Sequence, residues 1–195
     1  MKKPIKKIIL FVACLTFVYL PTNQQPCDCQ EAEKLSFTEV VNVNGVSAEE
    51  LYMRARLWFV DCFVDSKNVL EMDDKKEGIL AGKGSIAYEP NVFIGSGCTR
   101  GNIVFTIKVM VKDGRYKYEF LNFTHHGSVS EMGFGPTDFG VLTTEEDCGK
   151  IKDTYKSQRI ALWKHMKSIS ELNTIQMVSS LKKKMEEKAL GENDW

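Results

Sequence analysis

Apolar and polar residues along this chain repeat with two periods, and the switches between them mark out its elements. Phe37, Glu39, Val41 and Val43 alternate with Thr38, Val40 and Asn42, which predicts a first strand. Asn44-Gly45 turns the chain. Ser47 then stands as a helix N-cap with Glu50 three residues on, the capping-box spacing in which each residue satisfies the other's backbone donor. Leu51, Ala55, Trp58, Phe59 and Cys62 recur at helical spacing while Glu49, Arg54 and Arg56 stay polar. The spacing predicts a helix that ends near Val64.

Strands dominate the middle of the chain. Val69–Met72 reads as a short second strand, Asp73–Gly78 as a charged turn, and Ile79–Tyr88 as a third strand. Gly82 and Gly84 within it signal a bulge or a close backbone approach. The glycine-bearing stretch 89–102 is expected as a loop. Ile103–Val111 is a fourth strand, and Asp113-Gly114 is a two-residue hairpin signal leading into a fifth, Arg115–Phe123. There Tyr116, Tyr118 and Phe120 alternate with Arg115, Lys117 and Glu119.

A long loop is expected over Thr124–Lys150, and loops of that length tend to be functional or mobile. A last helix follows, from about Asp153 to Lys188. Its expected apolar stripe is Tyr155, Leu162, Met166, Ile169, Leu172, Ile175, Val178, Leu181 and Met185. At 1.5 Å per residue it spans roughly 50 Å, so a bend near Ser168–Ser170 or a projecting end is expected.

The start of the chain has its own pattern. Lys2, Lys3, Lys6 and Lys7 precede the apolar run Ile8–Leu20, which is too short to span a membrane and reads as a secretory signal. The expected organisation is a signal peptide over 1–22, a linker over 23–35 with Pro26, and one domain over 36–190. This implies export to the periplasm or envelope of a Gram-negative bacterium. Cys14 sits inside the apolar run and Cys27 follows Gln-Gln-Pro, so neither has the setting of a lipidated cysteine. The 195-residue chain has 26 basic and 26 acidic residues. Without the four leading lysines the balance is acidic, which argues against nucleic-acid phosphates as a partner. No basic stripe is evident outside the last helix.

Order and residues together resemble a known family. Strand, helix, four-stranded meander and long helix is the layout of TATA-binding-protein-like folds, and helix-grip lipid-binding proteins are similar. The segments AEELYMRARLWF (48–59), SKNVLEMDDKKEGILAGKGSI (66–86), VKDGRYKYEFLNF (111–123) and IQMVSSLKKKM (175–185) resemble an exported domain-of-unknown-function family of Bacteroidetes bacteria. The resemblance implies an α+β TATA-binding-protein-like fold, β-α-β-β-β-β-α. A curved five-stranded antiparallel sheet grips the long C-terminal helix. It implies no activity, and a fold name does not imply DNA binding.

Connectivity places the remaining chemistry. With the Asp113-Gly114 turn at the bottom of the sheet, the loops 89–102 and 124–150 both lie at the top. The connections then bring Cys27, Cys29, Cys62, Cys98 and Cys148 to that end. In an exported protein these are disulfide candidates, and at least one bridge, with Cys98 or Cys148 the leading participant, is expected. Such a bridge typically contributes ~2–4 kcal/mol. Cys62 has a second reading as a buried free thiol on the helix stripe. Cys27 and Cys29 with His125 and His126 form a possible zinc set, but cysteines in an oxidising compartment oxidise instead. No metal or cofactor is expected.

No nucleophile elbow, phosphate-cradling loop or metalloprotease helix is present, so no catalytic residue is assigned. The expectation is a non-enzymatic binding domain whose partner is an envelope protein, a peptide or a small apolar ligand. The candidate binding residues are Gly95, Gly97, Arg100 and Asn102 in one top loop and His125, His126, Phe134 and Asp138 in the other. The alternative is a helix-grip carrier of a small apolar molecule or lipid, with Phe105, Tyr116, Tyr118 and Phe120 lining a cavity. The plainer reading makes those four residues core. The oligomeric state is left open.

Overall fold

The Asp113-Gly114 turn organises the sheet. The computed structural model describes residues 32–63, 69–92, 96–129, 135–148 and 155–187, all in a unit that begins at Ala32. The expected signal peptide, residues 23–31 of the expected linker, Cys14, Cys27, Cys29, Gly95 and Phe134 lie outside the described residues. The elements are β1 (Phe37–Asn42), α1 (Ala48–Cys62), β2 (Leu70–Asp74), β3 (Ile79–Tyr88), β4 (Gly101–Lys112), β5 (Arg115–Gly127), β6 (Gly140–Val141) and α2 (Lys156–Glu186). A 3₁₀ turn covers Ser96–Thr99.

The strands form one antiparallel sheet in the order β1-β5-β4-β3-β2. It has six strands rather than the five expected, because β6 adds to the far end of β5. The expected loop from Thr124 is also corrected, since β5 continues to Gly127. The cause is a bulge. Val104 pairs with Thr124 but Thr106 pairs with Leu121, so Asn122 and Phe123 together face Phe105. Asn122 adopts φ 58°, and the inward positions shift from Tyr116, Tyr118 and Phe120 to Phe123 and His125.

The end of the expected linker is also part of the fold. Leu35 N donates to Leu142 O at 2.9 Å and Thr144 N to Glu33 O at 2.8 Å. This antiparallel stitch carries the line of β1 onward past β6.

Both long helices pack on one sheet face. Ser47 caps α1 by accepting from Glu50 N, but the reciprocal half of the capping box is not made. Glu50 instead accepts from Arg54 Nε at 2.9 Å. Arg54, expected on the polar side, is buried and donates through Nη1 to Met185 O, a terminal carbonyl of α2. Trp58 Nε1 donates to Ser180 Oγ at 2.8 Å, so two side chains of α1 fix the antiparallel α2. Leu51, Ala55, Trp58 and Phe59 are buried as expected, but Cys62 lies exposed at the helix end.

In α2 the buried ridge runs Leu162, Met166, Ser170, Thr174, Leu181 and Met185. Leu172 (54% exposed) and Ile175 (56%), expected on the stripe, face outward. Ser170 and Thr174 replace them because each hydroxyl donates to a carbonyl one turn back, Met166 O and Ser170 O. A small hydroxyl satisfied in this way fits a close helix–sheet contact where a branched side chain does not.

Gly84 shows the close approach expected of β3, since a Cβ there would lie 2.4 Å from the Phe105 ring. Phe105 stacks on Phe123 at 5.2 Å and lies 6.1 Å from Phe120. Together with Trp58, Phe59 and Trp163, these rings fill the space between sheet and helices.

Candidate functional site

The two top loops leave the sheet at the same end, as the connectivity required. Ser128 N donates to Arg100 O at 2.8 Å, and Gly127 N donates to Asp138 Oδ1 at 2.6 Å. Of the expected binding residues there, Gly97, Arg100, Asn102, His125, His126 and Asp138 are described. They do not converge on a ligand site.

His125 lies in β5 rather than in a loop and is 0% exposed. Its Nε2–H donates to Thr99 O at 3.1 Å and its Nδ1 accepts from Phe139 N at 3.2 Å. One ring nitrogen gives a proton and the other takes one, so the imidazole is neutral with its tautomer fixed. Burial holds its pKa below the ordinary 6.5. The rings of Tyr88 and Phe139 meet it edge-on at 5.3 and 5.7 Å. His125 therefore fastens the two loops to the sheet. His126, its exposed neighbour, projects from the opposite face beside Asn102, so the two imidazoles cannot share a metal ion. Asp138 is engaged by Gly127, and Arg100 pairs with Glu89 at 3.6 Å. Cys62, Cys98 and Cys148 are free thiols, so no bridge forms among the described cysteines.

The four aromatic residues considered for a cavity, Phe105, Tyr116, Tyr118 and Phe120, all belong to the buried core, as the plainer reading has it. Tyr118 reaches the edge, where its hydroxyl donates to Glu39 at 2.5 Å and Lys182 pairs with the same carboxylate at 2.7 Å. Burial and then the Glu39 carboxylate push the Tyr118 phenol up. Beside it, an open groove of about 500 Å³ runs between β1 and α2, lined by Phe37, Ile175, Val178 and Lys183 among others.

The sheet face turned away from the helices carries a basin of about 280 Å³. Strand alternation builds it. Val40 pairs with Lys117, Lys117 with Met110, and Lys112 with Arg115 across the hairpin. Val40 and Met110 form an apolar floor, and Lys112, Arg115 and Lys117 form a cationic rim. Like charges directly opposite one another in a sheet repel. Asp113 Oδ1 accepts from Ala48 N at 2.7 Å at the start of α1, while Glu119 pairs with the rim lysine Lys117 itself at 2.5 Å and offsets its charge. Lys112 and Arg115 therefore oppose each other without a described anion between them. The expectation that no basic stripe lies outside the last helix is corrected here. The signal was present, since Lys108, Lys112, Arg115 and Lys117 occupy alternate positions on either side of the Asp-Gly turn.

Residues 37–126 match the model of a domain of unknown function (DUF4468) with TBP-like fold. The match runs from β1 to the penultimate residue of β5. Among solved structures, the chain is similar to a DUF4468 family protein from Bacteroides ovatus, with TM-score 0.54 and 15% identity over 80% of this chain and 89% of that one. It is also similar to a TBP-like protein from Parabacteroides distasonis, with TM-score 0.54 and 8% identity over 76% of this chain and 93% of that one. At these identities the likeness is one of fold. No curated protein matches the chain.

Proposed function

Since residues 37–126 match the model of the DUF4468 domain with TBP-like fold, we propose that the chain is an exported, non-enzymatic binding domain of the bacterial cell envelope, with its ligand site in the basin on the uncovered sheet face. The observation that carries this reading is the opposed Lys112–Arg115 pair above the Val40–Met110 floor. Such a site suits a ligand with an anionic group joined to an apolar body, because it offers cations and apolar area together. An acidic, apolar stretch of an envelope protein or peptide has that chemistry, and so does a small apolar molecule bearing a carboxylate. The basic start and apolar run of residues 1–20 support export.

The carrier alternative has less room. Aromatic side chains occupy the space under the helices, and the described concavities are open surface features. The test is titration of the protein with dodecanoate and, separately, with a short peptide alternating Glu and Leu, followed by calorimetry. Binding of either probe is expected to weaken about tenfold, or 1.4 kcal/mol, in Lys112→Glu and in Arg115→Glu, and to weaken with added salt. No binding by either probe, or binding that ignores both substitutions, overturns the reading.

A further inference from the structure

We propose that the basin on the uncovered sheet face takes a phosphate monoester of a short apolar alcohol. This rests on the reading of that basin as the ligand site, and it names the class of ligand. Strand register sorts the face into rows. Lys112 and Arg115 stand opposite each other in the row beside the Asp-Gly turn. Two residues further along the strands, Val40, Lys117, Met110 and Ile79 are neighbours in one row. The row after that is polar again, with Glu119 between Thr38 and Lys108. Successive rows on one face lie about 7 Å apart, because two residues of a strand rise that far.

The basin has a surplus of positive charge, and the surplus is local. Lys112, Arg115 and Lys117 line it, and among the described residues no carboxylate does. Glu119, one row away, pairs with Lys117 at 2.5 Å and leaves the other two cations over. Asp113 is engaged at the start of α1, and Glu39 is held on the helix side by Tyr118. Lys112 and Arg115 are both exposed and have no ion pair among the described residues. Side chains directly opposite each other in a sheet have Cβ atoms about 5 Å apart, so these two charges converge on one point.

Two convergent cations select a doubly charged group on one centre. A single carboxylate leaves one of them unmatched. Acidic side chains on one face of an extended peptide stand about 7 Å apart, too far to share that point. A phosphate monoester carries about −1.5 to −2 charges at pH 7 and three acceptor oxygens on one atom. The planar fork of Arg115 fits two of these oxygens, and the Lys112 ammonium, a point charge, fits the third. The esterified body then lies one row away, on the Val40–Met110 floor. The polar Lys108–Glu119 row beyond bounds that floor, so the apolar body is short.

The test is calorimetry at neutral pH with hexyl phosphate, hexyl sulfate, hexanoate and inorganic phosphate. Hexyl sulfate keeps the three oxygens and carries one charge, so it separates charge from shape. Hexyl phosphate is expected to bind at least about tenfold more tightly than each of the others. Lys112→Gln is expected to bring it down to the level of hexyl sulfate. Arg115→Lys, which keeps the charge and loses the fork, is expected to weaken it about threefold or more. The ranking of probes on the unaltered chain decides the question if a variant fails to fold, as its circular dichroism would show. Hexyl sulfate, hexanoate or the alternating Glu and Leu peptide binding as tightly as hexyl phosphate overturns this proposal and leaves the basin as a site for another anion. Inorganic phosphate binding as tightly, or hexyl phosphate binding that ignores both substitutions, overturns it as well. Binding by none of the probes, dodecanoate included, overturns the basin reading together with it.

Discussion

Asn122 determines which way His125 points. At φ 58° Asn122 takes up the extra residue of the β5 bulge, so two residues of β5 answer one of β4 at Phe105. Without it, strict alternation from Phe120 would turn Asn122, Thr124 and His126 inward. With it, Phe123 and His125 are buried, and His125 reaches Thr99 and Phe139. A β-branched residue in this conformation costs about 1–2 kcal/mol, whereas glycine accepts it. Asn122→Val is therefore expected to lower the urea unfolding free energy by about that amount, and Asn122→Gly to change it little.

Buried His125 makes stability depend on pH. Its folded pKa lies below the ordinary 6.5, chiefly through burial, with the nearby Asp138 charge opposing that shift and His126 adding to it. Below about pH 6.5 the unfolded chain takes up a proton that the folded one refuses, so the unfolded state gains. The contribution is fully present above 6.5 and is lost as pH falls through the lowered folded value. Melting temperatures from pH 8 downward should fall in this window, and His125→Gln should flatten the slope there. Asp73 acts in a more acidic range. Hydrogen bonds from Tyr52 and then Arg56 hold its carboxyl below 3.8, so its contribution disappears only as pH falls through that lower value.

Lys112 and Arg115 stand opposite each other at the mouth of the hairpin, which is unfavourable for the strands. Lys112→Thr should leave the domain as stable or raise its unfolding free energy by roughly 0.2–0.5 kcal/mol after solvent screening. The same change should weaken binding at the basin. Gaining stability while losing function marks a residue kept for its ligand, and chemical denaturation alongside calorimetry reads both.

Arg54 ties α1 to the end of α2 through Met185 O and is itself tied to Glu50. Arg54→Met keeps most of the volume but leaves a helix-terminal carbonyl without its donor. The expected cost is about 1.5–3 kcal/mol in thermal or urea unfolding. A change near zero would show that water reaches Met185 O.

Free thiols make a direct prediction from labelling. Cys98, which is exposed, should react with a maleimide in native protein without reductant. Cys62 should react more slowly at neutral pH, because desolvation of its sulfur and then the Asp61 charge push its thiol up. Intact-mass measurement with and without reductant distinguishes this from a Cys98 disulfide, which would block labelling until reduction.

Much of the fold was legible because burial imposes a period. The boundaries of β3, the Asp-Gly hairpin and the Ser47 cap each depend on local chemistry, and the structure has them where expected. Other features depend on contacts distant in sequence. Nothing near Ser170 or Thr174 indicates that a hydroxyl is preferred there to Leu172, because the preference comes from α1 and the sheet crowding that face. The bulge at Asn122 breaks the alternation by which β5 could be followed to Gly127, so the sequence pattern leaves His125 in the loop. The basin is not legible in the sequence because its cations are spread over two strands and only the hairpin register brings them together.

The stitch of Glu33 and Leu35 to Leu142 and Thr144 has a consequence for the order in which the chain can assemble. The strand that leaves the ribosome earliest, β1, is held on its paired side by β5 and, beyond its start, by residues after β6. Both partners emerge far later, so β1 must stay unpaired while most of the domain is still being synthesised. Contacts so distant in sequence slow folding and leave strand edges open to aggregation until the last helix is in hand. A nascent chain of this kind depends on holdase chaperones more than its finished stability suggests.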